Sequence, residues 1–187
     1  SPMETWSYRI VHVCGALILG YLLFSGRGFT EAPSTLQRWL NVAAVAALLP
    51  AGYALWQTVS MYLLLKGGAM RVPVEIETLH YGWPLLAATG VGIVLSWLHR
   101  QQRSGFNLPD LVLIVCSLAS AGYFLVIFNS PLRMSTGTPF APIGMSFAAV
   151  AGTALIMEMT RRVAGLALVV IALLFVAYVF AGPHLPS

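Results

Sequence analysis

Long apolar stretches separated by short polar ones divide the chain into candidate membrane spans. Most of them have about the 20 residues that a helix needs to cross a bilayer. The five clearest stretches are residues 40–65, 81–98, 111–128, 143–157 and 163–180. Residues 8–24 are also apolar, but Arg9 and His12 interrupt them, so this segment is expected either to cross or to lie along the interface. The pattern predicts an all-α, polytopic membrane helix bundle with five or six transmembrane helices.

Several residues mark where these helices begin and end. Ser34 or Thr35 is a suitable N-cap for the second segment. Lys66 is followed by Gly67 and Gly68, a pair that is typical of a helix end. Pro109 suits the first turn of the fourth segment. Pro50, inside the second segment, predicts a kink.

The composition agrees with a membrane protein. Of 187 residues, 58% are hydrophobic and only 9% are charged, far below the roughly 25% of a soluble domain. The net charge of +4 comes from scattered residues rather than a basic run, so no nucleic-acid partner is expected. Cys14 and Cys116 each lie within an apolar segment and predict neither a disulfide framework nor a metal site.

A charged group joins two apolar stretches without a loop. Glu158, Arg161 and Arg162 separate residues 143–157 from 163–180. Because a charge at the centre of a bilayer costs about 2.5–3.5 kcal/mol, this group is expected at the membrane surface. On a helix, Glu158 would pair at i+3 with Arg161 and at i+4 with Arg162. A surface cluster that sets orientation is favoured over a role in binding a ligand or a proton.

Small residues recur at four-residue spacing in the segment that precedes this group. They are Gly144, Ala148 and Gly152, a stripe that allows another helix to approach closely. We expect a packed helix face there. The alternative is chance, because glycine and alanine are common in membrane helices.

The distribution of positive charges predicts the orientation. One set of polar connections holds six positive residues: Arg27, Arg38, Arg100, Arg103, Arg161 and Arg162. The other set holds four: Arg9, Lys66, Arg71 and Arg133. Since cytoplasmic loops carry the excess of Lys and Arg, the first set is expected in the cytoplasm.

No pattern indicates catalysis by this chain. Its acids Glu75, Glu77, Asp110 and Glu158 are expected at span ends or in solvated connections, and no nucleophile–base set or phosphate loop is present. We therefore expect no enzyme activity, no catalytic, substrate-binding or metal-binding residue and no cofactor.

A haem-binding membrane anchor is a second hypothesis, because His12 and His80 would lie at similar depths on one side if the first segment crosses. Histidines near the membrane interface more often simply place the polar end of the side chain at the level of the lipid headgroups. A third hypothesis is a structural membrane protein without a transport role.

The C-terminal part of the chain resembles a known family. The run EMTRRVAGLAL at residues 158–168, followed by Ala177-Tyr178 and by GPHLP at residues 182–186, resembles the fused membrane component of tripartite ATP-independent periplasmic (TRAP) transporters. The likeness is to the type paired with TAXI solute-binding proteins. It is clearest over residues 79–186 and fainter over residues 37–65.

The resemblance implies a domain organisation. Residues 36–160 would be the small four-helix subunit, residues 161–187 the linking helix with a periplasmic end, and residues 1–35 an N-terminal hydrophobic segment and loop. The last of these has no clear counterpart in the family. Val169 stands where many relatives are expected to have proline, and the chain stops at Ser187 where fused relatives would continue. The resemblance therefore implies either a separate small subunit or one part of a fusion.

The resemblance also implies a function. The chain would scaffold a large TRAP permease in the bacterial inner membrane. The permease would carry out sodium-coupled symport of organic acids or amino acids that a periplasmic TAXI-type binding protein delivers. The expected partners are therefore the permease, the binding protein and membrane lipids.

Overall fold

The structure, a computed structural model, describes residues 2–24, 29–30, 35–98, 101–102, 107–130 and 142–182. These residues form six α-helices: α1 (Pro2–Leu23), α2 (Thr35–Lys66), α3 (Trp83–Leu98), α4 (Leu108–Phe128), α5 (Ile143–Ala164) and α6 (Leu166–Ala181). A π-helical turn, Ile76–Gly82, leads directly into α3. Two strands of two residues, β1 (Phe29–Thr30) and β2 (Gln101–Gln102), pair in parallel beside the bundle.

Five of the described helices are long and apolar enough to cross a membrane. They are Thr5–Leu23, Thr35–Lys66, Ile76–Leu98, Leu108–Phe128 and Ile143–Ala164, and Leu168–Ala181 is a shorter apolar helix. The prediction of an all-α membrane helix bundle is confirmed. Large apolar side chains such as Leu49 and Trp39 are exposed on its outside, as expected for helices that face lipid.

Helix α4 lies at the centre of the bundle. It packs against α1, α2, α3 and α5, and most of its side chains from Val112 to Ile127 are buried. Helix α2 packs against α4 through residues spaced alternately three and four apart, including Ala44, Ala47 and Ala51. Because alanine side chains are short, the two backbones approach closely.

The helices run alternately up and down, which gives the bundle two polar ends. The arginine end, as we call it, has the C-terminus of α1, the N-terminus of α4 and Arg162 of α5. The opposite end, the Glu77 end, has the π-helical turn, the C-terminus of α4 and the N-terminus of α5. Consecutive helices therefore begin at opposite ends of the bundle, as the two alternating sets of polar connections require.

Helix α1 extends along the whole of α4. At the Glu77 end, Asn129 Nδ2 donates to Ser7 Oγ at 3.1 Å, and at the arginine end the Phe24 carbonyl accepts from Arg162 Nη1 at 3.0 Å. The first apolar segment is thus as long as the bundle rather than lying flat across one end. Arg9 and His12 are accommodated because both side chains are exposed.

Most predicted boundaries agree with the structure. Helix α2 begins at Thr35, contains Pro50 and ends at Lys66, and α4 has proline in its first turn. The predicted loop over residues 133–142 lies, except for Pro142, outside the described residues.

The junction of the last two spans is a correction. Helix α5 continues through Glu158 and Arg162 to Ala164, and the break falls at Gly165, whose φ is +87°. The domain boundary expected after residue 160 stays a prediction. The signal for this break was a glycine directly after a helix turn that carries two arginines, which is a common C-terminal pattern.

Candidate functional site

Glu158 organises the polar cluster at the arginine end. Its carboxylate accepts from Trp97 Nε1 at 2.7 Å and from Arg161 Nη2 at 2.6 Å and Nε at 3.0 Å. Arg162 Nε donates to the same carboxylate at 3.2 Å. The predicted i+3 and i+4 pairs are therefore confirmed, and Trp97 of α3 joins them from a neighbouring helix.

Arg162 connects the cluster to two further helices. Its Nη2 lies 2.7 Å from Asp110 Oδ1 of α4, and its Nη1 donates to the Phe24 carbonyl beyond α1. The guanidinium carbon also lies 4.8 Å from the ring centre of Tyr21, a distance typical of a cation–π contact. Asn107 Nδ2 holds the other oxygen of Asp110 at 2.8 Å.

This cluster is interior, not superficial. The side chain of Arg162 is fully buried, and Glu158 and Asp110 are 3% and 5% exposed as residues. The expected position of the cluster at the membrane surface stays a prediction; within the bundle, Glu158 and Arg162 are shielded by neighbouring helices, whereas Arg161 retains 19% side-chain exposure. Two acids face two arginines, so the formal charges within the cluster cancel. Burial of these charges is tolerated because each one has an opposite charge within hydrogen-bond distance.

A second buried acid, Glu77, lies at the opposite end. Glu77 is 2% exposed, and its Oε1 accepts from Tyr123 Oη of α4 at 2.9 Å. Its Oε2 lies 3.5 Å from the backbone nitrogen of Gly144, in the first turn of α5. The prediction that Glu77 belongs to a solvated connection is wrong, because the helical span begins at Ile76 and places this carboxyl inside the bundle.

The π-helical turn accounts for the position of Glu77. It places Glu77 and Tyr81 on the buried side, where Tyr81 stacks on Tyr123 at 4.9 Å and its hydroxyl donates to the Ala119 carbonyl at 2.9 Å. The N-terminus of α5 carries a partial positive charge, which favours a carboxyl group beside it. Glu77 therefore joins the π-helical turn, α4 and α5 at one point.

The small-residue stripe of α5 is only partly packed. Gly144 and Ala148 are buried, and a side chain at Gly144 would collide with the ring of Tyr123. Gly152 has open space around its Cα instead. The buried face of α5 continues through Ala151 and Leu155 to Glu158, with the three- and four-residue spacing of a helix-packing seam.

The two histidines of the haem hypothesis have different surroundings. His12 is exposed, and its Nδ1 lies 2.7 Å from the carbonyl of Tyr8 on its own helix. His80 Nδ1 lies 2.6 Å from Tyr53 Oη on α2. Helix α1 packs against α4 and α5, and the π-helical turn packs against α2, α3 and α5 and also contacts α4 through Glu77 and Tyr81. Nothing in this geometry favours a shared ligand. Among the described residues, no group of three or more His, Cys, Asp or Glu side chains is placed to hold a metal ion.

Two members of these clusters, Glu77 and Asp110, were not expected in the interior. A signal for each is present in the sequence. Glu77 shares a helical face with Leu85 and Ala88, and Asp110 shares one with Leu113, so the apolar periodicity includes both acids. This pattern was overlooked because both acids were assigned to span ends or connections.

Among the described residues, the buried acids Glu77, Asp110 and Glu158 bind side chains of neighbouring helices. The buried hydroxyls of Thr58, Ser96 and Ser117 donate to backbone carbonyls instead. Comparison with known proteins adds no identity: no family model, no curated protein and no solved structure matches the chain.

Proposed function

We propose that this chain is the small membrane component of a TRAP-type secondary transporter, a scaffold that holds a large permease in the bilayer. The observation that carries the proposal is the resemblance of the run EMTRRVAGLAL, residues 158–168, to the fused membrane component of that family. The proposal includes the bacterial inner membrane as location, and a permease that imports organic acids or amino acids with sodium.

The position of this run in the fold supports the proposal. It covers the end of α5, the glycine break at Gly165 and the start of α6. A core of α2 to α5 with one further helix attached has the helix count that a small subunit with a linking helix requires. Helix α6 packs chiefly against α5 and exposes Phe175, Tyr178 and Phe180, so it offers an apolar surface within the membrane.

The electrostatics support a scaffold rather than a carrier. At the arginine end, Glu158 and Asp110 are each bound by arginine, and those bonds hold α3, α4 and α5 together. A solute that passed between α3, α4 and α5 would have to break those pairs, and breaking a buried pair costs about 3–5 kcal/mol. The chain is thus suited to remain fixed while a partner moves.

Copurification tests the proposal. The tagged chain, expressed from its native locus, is isolated from native membranes in mild detergent, and its partners are identified by mass spectrometry. We expect a large TRAP permease in stoichiometric amount. Its absence under conditions that preserve other inner-membrane complexes would refute the proposal and favour a structural membrane protein of another kind.

Reconstitution is the complementary test. The lone chain in liposomes with a sodium gradient is expected to import neither organic acids nor amino acids. Sodium-driven uptake by the lone chain would contradict the scaffold role.

A further inference from the structure

A groove lies between α1, α4 and α5. Its volume is about 310 Å³, and its walls include Ile10 and Leu17 of α1, Phe124 of α4 and Ile156 of α5. The groove opens sideways, since Val13 is 47% exposed and Ile156 is 44% exposed. Its position inside the span Thr5–Leu23 means that it opens toward lipid acyl chains.

One end of the groove is cationic and aromatic. Arg9 lines it, with its guanidinium carbon 5.3 Å from the ring centre of Trp6. Arg9 is exposed, and none of the ion pairs between side chains that the structure describes includes it. This distinguishes Arg9 from Arg161 and Arg162, whose charges are balanced by Glu158 and Asp110.

The dimensions match one leaflet of a bilayer. From Trp6 to Leu17 the groove follows 11 residues of α1, or about 16 Å at 1.5 Å per residue. Half of a hydrocarbon core about 30 Å thick is about 15 Å. Trp6 marks the interfacial end, because tryptophan is enriched where headgroups meet acyl chains.

We propose that this groove binds an anionic phospholipid, with the phosphate on Arg9 beside Trp6 and one acyl chain lying along the apolar walls. Arginine suits the phosphate because its guanidinium presents a fork of N–H donors to the phosphate oxygens. The volume lies near the lower limit of about 300 Å³ for small-molecule sites, so it holds one chain and leaves the other in the bilayer. Binding of a phospholipid also explains why Arg9 lies within an otherwise apolar segment.

Quenching of tryptophan fluorescence by brominated lipids tests the proposal. The full chain is reconstituted in dioleoyl phosphatidylcholine vesicles that contain brominated phosphatidylglycerol or, at the same mole fraction, brominated phosphatidylcholine. The contribution of Trp6 is the difference between the wild-type chain and the Trp6→Phe variant. We expect the relative binding constant at Trp6 to favour phosphatidylglycerol about fivefold, the factor that corresponds to about 1 kcal/mol for one arginine near an anionic surface.

Two variants separate the site from simple surface attraction. Arg9→Gln is expected to lower the ratio to about one. Gly152→Leu fills the groove at a point where a side chain would meet nothing within 4 Å, so it is expected to lower the ratio without changing any charge. Arg38→Gln, an exposed arginine at the other end of the bundle, is expected to leave the ratio unchanged.

The outcomes that overturn the proposal are equally specific. A ratio of one for the wild-type chain excludes selective binding. A ratio that survives Arg9→Gln excludes the phosphate contact, and one that falls with Arg9→Gln but not with Gly152→Leu reduces the effect to surface charge. Ser120→Ala is the last control: the Ser120 hydroxyl lies in the groove wall, and loss of the ratio in this variant would mean a polar ligand instead of an acyl chain. Circular dichroism confirms that each variant is folded.

Discussion

The guanidinium of Arg162 on α5 lies 2.7 Å from the carboxylate of Asp110 on α4, and neither group is open to water. The same arginine donates to Glu158 one turn earlier on its own helix. One side chain therefore compensates two buried acids on two helices. We therefore expect Arg162 to contribute strongly to the stability of the arginine end.

Arg162→Gln is expected to lower the free energy of unfolding by about 3–5 kcal/mol, because it leaves the buried Asp110 carboxylate without its cation and Glu158 with Arg161 alone. The measurement is unfolding by sodium dodecyl sulfate in mixed micelles. Arg161→Gln is the matched control one residue away: its side chain is 19% exposed and Glu158 keeps Arg162, so the loss is expected to be about 1 kcal/mol or less. Equal losses in the two variants would show that Arg162 has no special position.

A double variant separates the ion pair from packing. Asp110→Asn combined with Arg162→Gln removes the carboxylate that Arg162→Gln alone leaves without a cation, so the pair of substitutions is expected to cost less than the sum of the single ones by about 1–3 kcal/mol. Additive losses would indicate that Asp110 and Arg162 do not interact energetically.

Tyr123→Phe tests the cluster around Glu77. The substitution keeps the ring that stacks on Tyr81 but removes the one side-chain donor that the Glu77 carboxyl has among the described residues, so a loss of about 1–3 kcal/mol is expected. Tyr53→Phe is the control, because it removes an exposed hydrogen bond to His80 and should change stability by less than about 0.5 kcal/mol. A loss for Tyr123→Phe no larger than for Tyr53→Phe would mean that the buried bond contributes nothing.

Gly144→Ala and Gly152→Ala distinguish the packed and the open parts of α5. A methyl group at Gly144 would lie less than 3 Å from the ring of Tyr123, so a loss of about 1–3 kcal/mol is expected from overpacking. At Gly152 there is no neighbour within 4 Å, and alanine is expected to stabilise the helix by about 0.5–1 kcal/mol. Thermal melting in detergent compares the two. Similar melting temperatures would contradict the difference in packing.

Much of this architecture follows from the sequence, since runs of apolar residues report the length of a membrane helix. Lys66 followed by two glycines ends α2 as expected, and Glu158 forms both of the expected helical pairs. Local patterns such as these depend on residues three or four positions apart, which the sequence displays directly.

Contacts between side chains of different helices were harder to predict from the sequence. That Asp110 pairs with Arg162, 52 positions later, depends on which helix faces bring the two together, and nothing in the local pattern around either residue states this. Glu77 was misplaced because acids are expected to be costly near lipid. The cost is reduced where the protein itself supplies Tyr123 as a donor.

Gly165→Ala tests the connection to α6. With φ at +87°, alanine is strained there by about 1–3 kcal/mol, so the connection is expected to relax and change the angle between α5 and α6. Pulsed electron paramagnetic resonance between spin labels at Val150 and Val179, in a chain whose two native cysteines are replaced by alanine, measures this angle as a distance. Gly90→Ala, where a side chain meets open space on α3, is the control. An unchanged distance distribution in Gly165→Ala would contradict the expectation.

The predicted orientation is tested by labelling in intact cells. In single-cysteine chains, Arg133→Cys is expected to react with an impermeant maleimide added outside, whereas Arg103→Cys is expected to be protected until the membrane is opened. The reverse pattern would overturn the orientation that the arginine count predicts.

The single glycine between α5 and α6 has a mechanical consequence. Among the described residues of α6, Val169 is the one that is buried, and the helix packs chiefly against α5. The rest of the bundle has polar contacts between helices at both ends, whereas α6 is joined to it through the break at Gly165 and its packing on α5. We therefore expect the direction of α6 to depend on what packs against it in the bilayer.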